Sequence, residues 1–505
     1  MEDFDYDLKS VQEVRNLARL GKAASEQIAD YSEEQINRIL CNMVKAAEEN
    51  AVLLAKMAVE ETGFGKVEDK TYKNHLASTI LYNSIKDMKT IGMIHENTTD
   101  KVIEFAEPVG LLMGIIPSTN PTSTVIFKSI IAIKSRNAIV FSPHPSAAKC
   151  TLKAAALMGE AAVAAGAPAN IIGCISMPTM DATNALMGSK EVNMIIATGG
   201  PGMVKAAYSA GKPALGVGAG NCPAYIEKTA NVKQAVTNIL ASKTFDNGTI
   251  CASEQSVIVE ECNREQVVAE FKKQGGYFMS PEETAKVCGL LFKNGHAMNA
   301  KFVGRSPQAI AAAAGISIPE GTKVLLGEQQ GVGNEYPLSY EKLTTVLAFY
   351  TVKDWHEACE LCIKLLQNGI GHSMSIHTED NDMVMKFARK PAARILVNTG
   401  STQGATGAST GLTPSFTLGC GTWGGSSVSE NVSPMHLINI KKVAYGIKDC
   451  STLASADPTF NHPELSCKDC SQTENPASNA AKNNGSDNER LTKLINELID
   501  AMKRG

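Results

Sequence analysis

The sequence predicts an α/β protein built on a doubly wound parallel sheet. Between residues 110 and 230, short apolar runs rich in β-branched residues alternate with Ala-rich helical stretches. Turns dense in Pro, Gly, Ser and Asn separate the two kinds of segment. A second alternating region follows at 231–426.

Residues 9–90 read as several amphipathic helices. In one of them Ile36, Ile39, Leu40, Met43, Val44 and Ala47 recur at helical spacing, with Asn37, Arg38, Asn42 and Lys45 falling elsewhere. Residues 102–110 suggest extended chain ending at a turn. A strand at 111–116 leads through the turn 117–121 into a helix over 123–135, and a strand at 138–141 leads through 142–145 into a helix over 146–165. Strands at 171–175 and 194–197 continue the pattern. In such sheets ligands bind outside the carboxyl ends of strands, where these turns fall. Residues 428–446 read as a strand outside either alternating region. Beyond Gly446, residues 454–486 are rich in Ser, Asn, Asp, Pro and Ala, a composition with little to bury, and predict a flexible linker.

Composition narrows the function classes. The 505 residues suffice for about three domains, and 44% apolar with 20% charged residues is ordinary for a globular protein. A formal net charge of −4 gives no case for nucleic acid or an anionic membrane as partner. Glu2, Asp3 and Asp5 make the opening acidic where a secretory leader is basic. No run reaches the roughly 18 apolar residues a spanning helix needs. The 13 scattered cysteines, among them Cys41, Cys150 and Cys174, then read as free thiols in a reducing cytoplasm. Cys359 and Cys362 share one helix face and read as core packing. Cys467 and Cys470, in the polar tail, could bind metal or form a disulfide, but no second ligand pair stands nearby, so no residue is assigned to a metal.

One cysteine stands apart. Cys251 lies in a Gly-containing turn, Phe245 to Ser256, among polar neighbours and just before Val257, Ile258 and Val259. A cysteine in such a turn faces a cleft, where backbone N–H groups stabilise a thiolate or an oxyanion. The bland alternative, a small buried thiol at a strand start, fits most of the other cysteines better. Two Gly-dense turns, Thr198–Gly199–Gly200 and residues 215–223, bring backbone close enough for a phosphate at a helix N-terminus, although neither is G-x-G-x-x-G and each singly is a weak signal. The chain closes on an amphipathic pattern in which Leu491, Leu494, Ile495, Leu498, Ile499 and Met502 form one stripe, opened by the capping-box pair Ser486 and Glu489. A helix of about 15 residues is marginal alone, so this stripe is expected to bury against a partner; a membrane surface is the runner-up, weakened by the mixed charge of the polar face, and docking on its own chain the further alternative.

Taken in order, segments 116–121, 142–145, 198–200, 215–223, the Cys251 turn, 341–344 and 398–400 closely resemble the aldehyde dehydrogenase superfamily across residues 10–446. Within it they resemble the CoA-acylating branch: acetaldehyde and propionaldehyde dehydrogenases and the aldehyde half of bifunctional aldehyde–alcohol dehydrogenases. The resemblance implies a Rossmann-like NAD domain at 1–230 and a catalytic domain at 231–426. It also implies a small β oligomerisation arm from about 97–112 plus 427–446, making a homodimer or homotetramer. By position, Cys251 matches the nucleophile and Asn120 the side-chain donor of the oxyanion hole. Ile116, Pro117, Thr119, Ser142, His144, Thr198, Gly199, Gly200 and Gly218 match cofactor positions, and Glu341 matches the acidic residue near the nicotinamide ribose. Ser142 to Pro145 stand where hydrolytic relatives carry a lysine near the adenine ribose. Residues 215–223 lack the glutamate that activates water in those relatives, so a thioester on Cys251 would await the thiol of coenzyme A. One of His372 and His377 is a candidate to assist that thiol, against the alternative of satisfied structural histidines. The expected reaction is NAD-dependent oxidation of a short aliphatic aldehyde, propionaldehyde first and acetaldehyde next, to acyl-CoA. The alternatives are hydrolytic oxidation or an idle scaffold. The segment 487–505, on its linker 447–486, resembles the encapsulation peptides of bacterial microcompartments, implying shell or cargo proteins as partners.

Overall fold

The computed structural model describes residues 5–450. The Cys467/Cys470 pair and the 487–505 segment lie outside the described residues, as does most of the 447–486 linker. The chain divides into two units, Met1–Ala444 and Tyr445–Gly505, and every labelled helix and strand lies in the first.

The N-terminal layer is helical. Helices α1 (Tyr6–Ile28), α2 (Glu33–Glu49) and α3 (Ala51–Thr62) come first. A capping box starts α2: the Gln35 N–H donates to the Ser32 hydroxyl at 3.3 Å, and the Ser32 N–H to the Gln35 side chain at 2.9 Å. Ile36, Ile39, Leu40, Met43 and Ala47 form its buried face. Helix α4 (Val67–His75) inverts the usual rule, because its buried residues are Lys70, Lys73 and Asn74. It continues through a π-helical turn, Leu76–Ile80, into α5 (Leu81–Ile85). π-Turns are rare and concentrate at functional sites.

Strands β1 (Gly92–Asn97) and β2 (Val102–Pro108) then pair antiparallel. Next come β3 (Leu111–Ile116), α6 (Pro121–Lys134), β4 (Ala138–Pro143), α7 (Ala148–Ala164), β5 (Ile172–Cys174), α8 (Met180–Gly188), β6 (Met194–Thr198), α9 (Pro201–Tyr208) and β7 (Ala214–Val217). The strands form a parallel sheet in the order β5-β4-β3-β6-β7. β3 and β4 are buried throughout, which suits continuous apolar runs better than alternating ones. The chain builds outward from β3, then returns to lay β6 against its other side. The carboxyl ends of β3 and β6 therefore flank a topological switch point, the usual ligand crevice of such sheets. Helix α6 begins with Pro121 at its first position and is buried along its whole length. No amphipathic pattern is needed there, because protein surrounds it on all sides.

The Gly-rich connection 218–221 passes from the first sheet to β8 (Cys222–Ile226), which belongs to the second sheet although it precedes residue 231. Helix α10 (Val232–Thr244), β9 (Glu254–Glu260) and β10 (Gly276–Phe278) follow, then a small hairpin of β11 (Phe292–Lys293) and β12 (Ala297–Met298). β13 (Val324–Glu328), β14 (Val346–Val352), β15 (Gly371–His377) and β16 (Ala392–Val397) complete a seven-stranded parallel sheet, β10-β13-β14-β9-β8-β15-β16. Cys359 and Cys362 are buried on the helix Trp355–Leu366.

The last strand, β17 (Ile438–Ala444), returns to pair with β2 and makes a three-stranded antiparallel sheet. This narrows the strand read at 428–446: a 3-10 turn, Pro434–Leu437, precedes it, since Pro434 cannot donate to a ladder. Leu111 and Leu112 belong to β3 in the first parallel sheet, so of the segment 97–112 only residues up to Pro108 belong to the antiparallel sheet, which begins earlier, at Gly92. Among the described residues no helix is long and apolar enough to cross a membrane, and no group of three or more His, Cys, Asp or Glu could hold a metal ion.

Phe127 on α6 is fully buried, with its ring 6.2 Å from that of Phe416. Phe127→Ala should destabilise the fold by about 3–5 kcal/mol, read as a lower urea midpoint with an unchanged slope.

Candidate active site

The loop before Cys251 is built from conformations that side chains resist. After α10 ends, Asp246 and Asn247 take φ of 50° and 51°, and Gly248 follows at 77°. Left-handed backbone is unfavourable for residues other than glycine, so surrounding contacts must impose it. The Asp246 carboxylate supplies most of them. It accepts from the Lys66 N–H at 2.8 Å, from Lys70 Nζ at 2.9 Å, from the Thr249 hydroxyl at 2.6 Å and from Lys73 Nζ. Asn247 Nδ2 donates to the Gly304 carbonyl at 2.9 Å.

This loop delivers Cys251 to the amino end of β9, beside the amino ends of β8 and β15. Its sulfur lies 3.1 Å from His372 Nε2, at the start of β15. The other ring nitrogen, Nδ1, lies 3.0 Å from the Ser373 hydroxyl. Arg394 on β16 holds that hydroxyl through Nε at 3.1 Å, and its Nη2 donates to the carbonyls of His372 at 2.9 Å and Gly419 at 2.6 Å. Burial, reinforced by the Arg394 guanidinium, holds the His372 imidazole neutral, well below its ordinary pKa. Apolar surroundings and then the Glu341 carboxylate push the Cys251 thiol up to about 12. At neutral pH the two therefore form a neutral thiol–imidazole pair: a protonated thiol with an imidazole nitrogen already in contact.

Asn120 precedes α6, and its Nδ2 donates to the Thr249 carbonyl at 3.1 Å, two residues before Cys251. Gly220 lies equally close on another side, because a Cβ there would sit 1.9 Å from the Cys251 carbonyl oxygen. The Gly220 N–H donates to Glu341 Oε1 at 3.1 Å, and burial raises that carboxyl to about 7. The structure thus gathers Cys251, Asn120, Glu341 and His372 around one point.

The dinucleotide candidates fall on the crevice between β3 and β6. Ile116 is buried at the end of β3, and Pro117 and Thr119 are half-buried just beyond. Thr198 ends β6 with its hydroxyl 3.2 Å from that of Thr417; Gly199 and Gly200 carry the chain into α9. A Cβ at Gly200 or Gly218 would meet nothing within 4 Å, so these glycines border open space, a cradle that fits a pyrophosphate at a helix start. Ser142 points elsewhere: its buried hydroxyl is 2.9 Å from that of Thr183 on α8. His144 is exposed, and its Nδ1 accepts from the Ser146 N–H at 3.2 Å. His377 is buried at the far, carboxyl end of β15.

Sequence reasoning set His372 beside a structural alternative and missed Lys70, Lys73, Asp246 and Arg394 altogether. Lys73 and Asp246 are 173 positions apart, and nothing local pairs one with the other. The available signal was the pair of lysines at i, i+3 on a helix whose other face offers no better core.

The alpha/beta architecture, two parallel sheets with small antiparallel ones, is the aldehyde dehydrogenase-type fold. The model of the aldehyde dehydrogenase family matches residues 5–293, and the chain belongs to that family. It is 49% identical over 442 residues to the bifunctional aldehyde-alcohol dehydrogenase of Escherichia coli, covering 86% of this chain and 50% of that protein. The chain thus spans about half the length of the bifunctional relatives it matches. An acetylating aldehyde dehydrogenase from Geobacillus thermoglucosidasius superposes with a TM-score of 0.87 at 55% identity, covering 88% of this chain and 99% of that one. A propionaldehyde dehydrogenase from Rhodopseudomonas palustris, solved with bound CoA and an acylated cysteine, gives a TM-score of 0.78 at 28% identity, covering 86% and 97%.

With the thiol held near 12, the thiolate fraction is small and rises with pH. Alkylation of Cys251 by iodoacetamide, followed by peptide mass spectrometry, should accelerate roughly tenfold per pH unit between about 7 and 9.

Proposed function

We propose that this protein is an NAD-dependent, CoA-acylating aldehyde dehydrogenase acting on a short aliphatic aldehyde, propionaldehyde first and acetaldehyde next. The contact between Cys251 Sγ and His372 Nε2 is the observation that carries the reading. The imidazole takes the thiol proton, and the sulfur forms a bond to the aldehyde carbon. The carbonyl electron pair moves onto oxygen, where Asn120 Nδ2 and the Cys251 N–H receive it. Thr198–Gly200 and Gly218 would hold NAD, which when bound would supply a hydride acceptor. Collapse of the alkoxide leaves a thioester on Cys251. The thiol of coenzyme A then attacks the thioester carbon, giving up its proton as the Cys251 sulfur departs and is reprotonated, and His372 stands where that proton must pass. In sum, aldehyde, NAD+ and CoA give acyl-CoA, NADH and a proton.

Two observations support transfer to a thiol rather than to water. Residues 215–223 contain no carboxylate to activate water. The Rhodopseudomonas relative carries CoA together with an acylated cysteine. A second reading, hydrolysis, draws on one observation: Glu341, near neutral in pKa, lies close enough to influence Cys251. We further propose a homodimer or homotetramer formed through the β1-β2-β17 sheet. Delivery to a bacterial microcompartment by the amphipathic 487–505 segment is likewise proposed, resting on its sequence pattern.

NADH formation from propionaldehyde should require CoA for turnover beyond one equivalent per site, and Cys251→Ala should abolish it. Steady NADH production without CoA would assign hydrolysis instead, and activity surviving Cys251→Ala would remove the mechanism. Deleting residues 487–505 should leave specific activity within about twofold while ending co-purification with shell proteins, and unfolding on deletion would point to docking on the chain itself.

A further inference from the structure

Helix α4 reaches into the site with one turn of polar side chains. Lys70 Nζ donates to the Thr119 carbonyl at 2.8 Å, Lys73 Nζ donates to Asn120 Oδ1 at 2.6 Å, and Asn74 Oδ1 accepts from the Thr122 hydroxyl at 2.9 Å. Lys70 and Lys73 grip the segment joining β3 to α6, and Asn74 grips the first turn of α6. The same two lysines hold Asp246, in the loop that carries Cys251. Lys73 also reaches the Thr249 carbonyl at 3.3 Å and its hydroxyl at 3.2 Å. Lys73, Asn74 and Asp246 are fully or almost fully buried.

Asn120 behaves unusually for its place. It is the N-cap of α6, where an asparagine side chain ordinarily accepts from the first turn, yet it makes no capping bond. Its oxygen is taken by Lys73 instead. An ammonium can only donate, so it decides which end of the amide faces it: Oδ1 toward Lys73, Nδ2 toward the Cys251 loop. One Nδ2 hydrogen is on the Thr249 carbonyl, and the other on the neighbouring Thr119 hydroxyl at 3.2 Å, a bond that an incoming oxyanion can replace.

We propose that Lys73 is a positioning residue for the oxyanion donor: anchored on Asp246, its ammonium fixes the orientation of the Asn120 amide and polarises its N–H toward the oxygen that develops charge beside Cys251. A donor whose carbonyl end is already bound to a cation is a stronger donor at its other end. Such preorganisation acts most strongly where water is excluded. Burial lowers Lys73 to about 8 against the opposing pull of Asp246, so below that pH the cation is present. Approach of the backbone is also provided for: Gly65 sits at φ +75°, and a Cβ there would stand 1.8 Å from Asp246 Oδ1.

The inference rests on the reading of Asn120 as oxyanion donor, and a double-mutant cycle in the full chain separates the two. Asn120→Ala should lower kcat for propionaldehyde oxidation with NAD+ and CoA by about 10²–10³. Lys73→Met should lower it by about 10–10², with KM for aldehyde within about threefold, and the double variant should be no worse than Asn120→Ala within about threefold. Iodoacetamide alkylation of Cys251 needs no oxyanion hole, so at fixed pH its rate in Lys73→Met should stay within about threefold of the parent. Multiplicative losses in the double variant, a wild-type kcat for Lys73→Met, or alkylation that falls in step with kcat would each overturn the proposal. A wild-type kcat for Asn120→Ala removes the underlying reading as well. If Lys73→Met does not fold, Lys73→Gln, which keeps a donor without the charge, carries the same cycle with a smaller expected loss.

Discussion

The carboxylate of Asp246 is the constraint on which the site depends. The loop that presents Cys251 runs through three consecutive left-handed residues, a conformation that cannot hold itself together. A buried carboxylate is unstable alone, and here two ammonium groups from one helix satisfy it. Burial by itself would raise the Asp246 pKa, but the charges of Lys73 and Lys70 hold it below the ordinary value. Two cations on one anion leave positive charge over. The carbonyls of Thr119 and Thr249 and the amide oxygen of Asn120 absorb it, all in the two segments that must be aligned. Charge neutralisation and the alignment of the Cys251 loop with Asn120 are thus one set of contacts.

The proposed nucleophile, Cys251, is held in the opposite manner, by withholding charge. The burial that pushes the Cys251 thiol up also keeps His372 unprotonated. An ion pair in this pocket would be poorly solvated, so the resting state is neutral and charge appears only as the reaction proceeds. The contact at 3.1 Å lets the proton move without rearrangement. Arg394 secures this by fixing both the Ser373 hydroxyl and the His372 carbonyl, which leaves the imidazole little freedom to turn.

The two sheets divide the labour by polarity of direction. The first offers the carboxyl ends of β3 and β6, where the glycine turns border open space at the proposed dinucleotide crevice. The second offers the amino ends of β8, β9 and β15, where Gly220, Cys251 and His372 meet. The Gly218–Asn221 connection joins them. Gly220 is a glycine there for a steric reason: any side chain would strike the Cys251 carbonyl.

Much of this was legible in the chain because the signals were local. Continuous apolar runs gave β3, β4 and β6, the helical spacing of Ile36 to Ala47 gave α2, and the Gly-containing turn set Cys251 apart from the other cysteines as the proposed nucleophile. The ends of β17 were blurred, since Pro434 and the polar residues before it share composition with an edge strand. Tertiary structure decided the rest. Helix α4 has a hydrophilic sequence, and only the fold shows that its polar side is the buried one, because its partner is a charged loop rather than an apolar core. His372 and His377 stand on one strand with similar neighbours. What separates them is that the strand's amino end meets the cysteine loop and its carboxyl end does not. Local pattern encodes how a segment buries itself, whereas which charges neutralise each other across 173 positions is fixed only when the chain closes on itself.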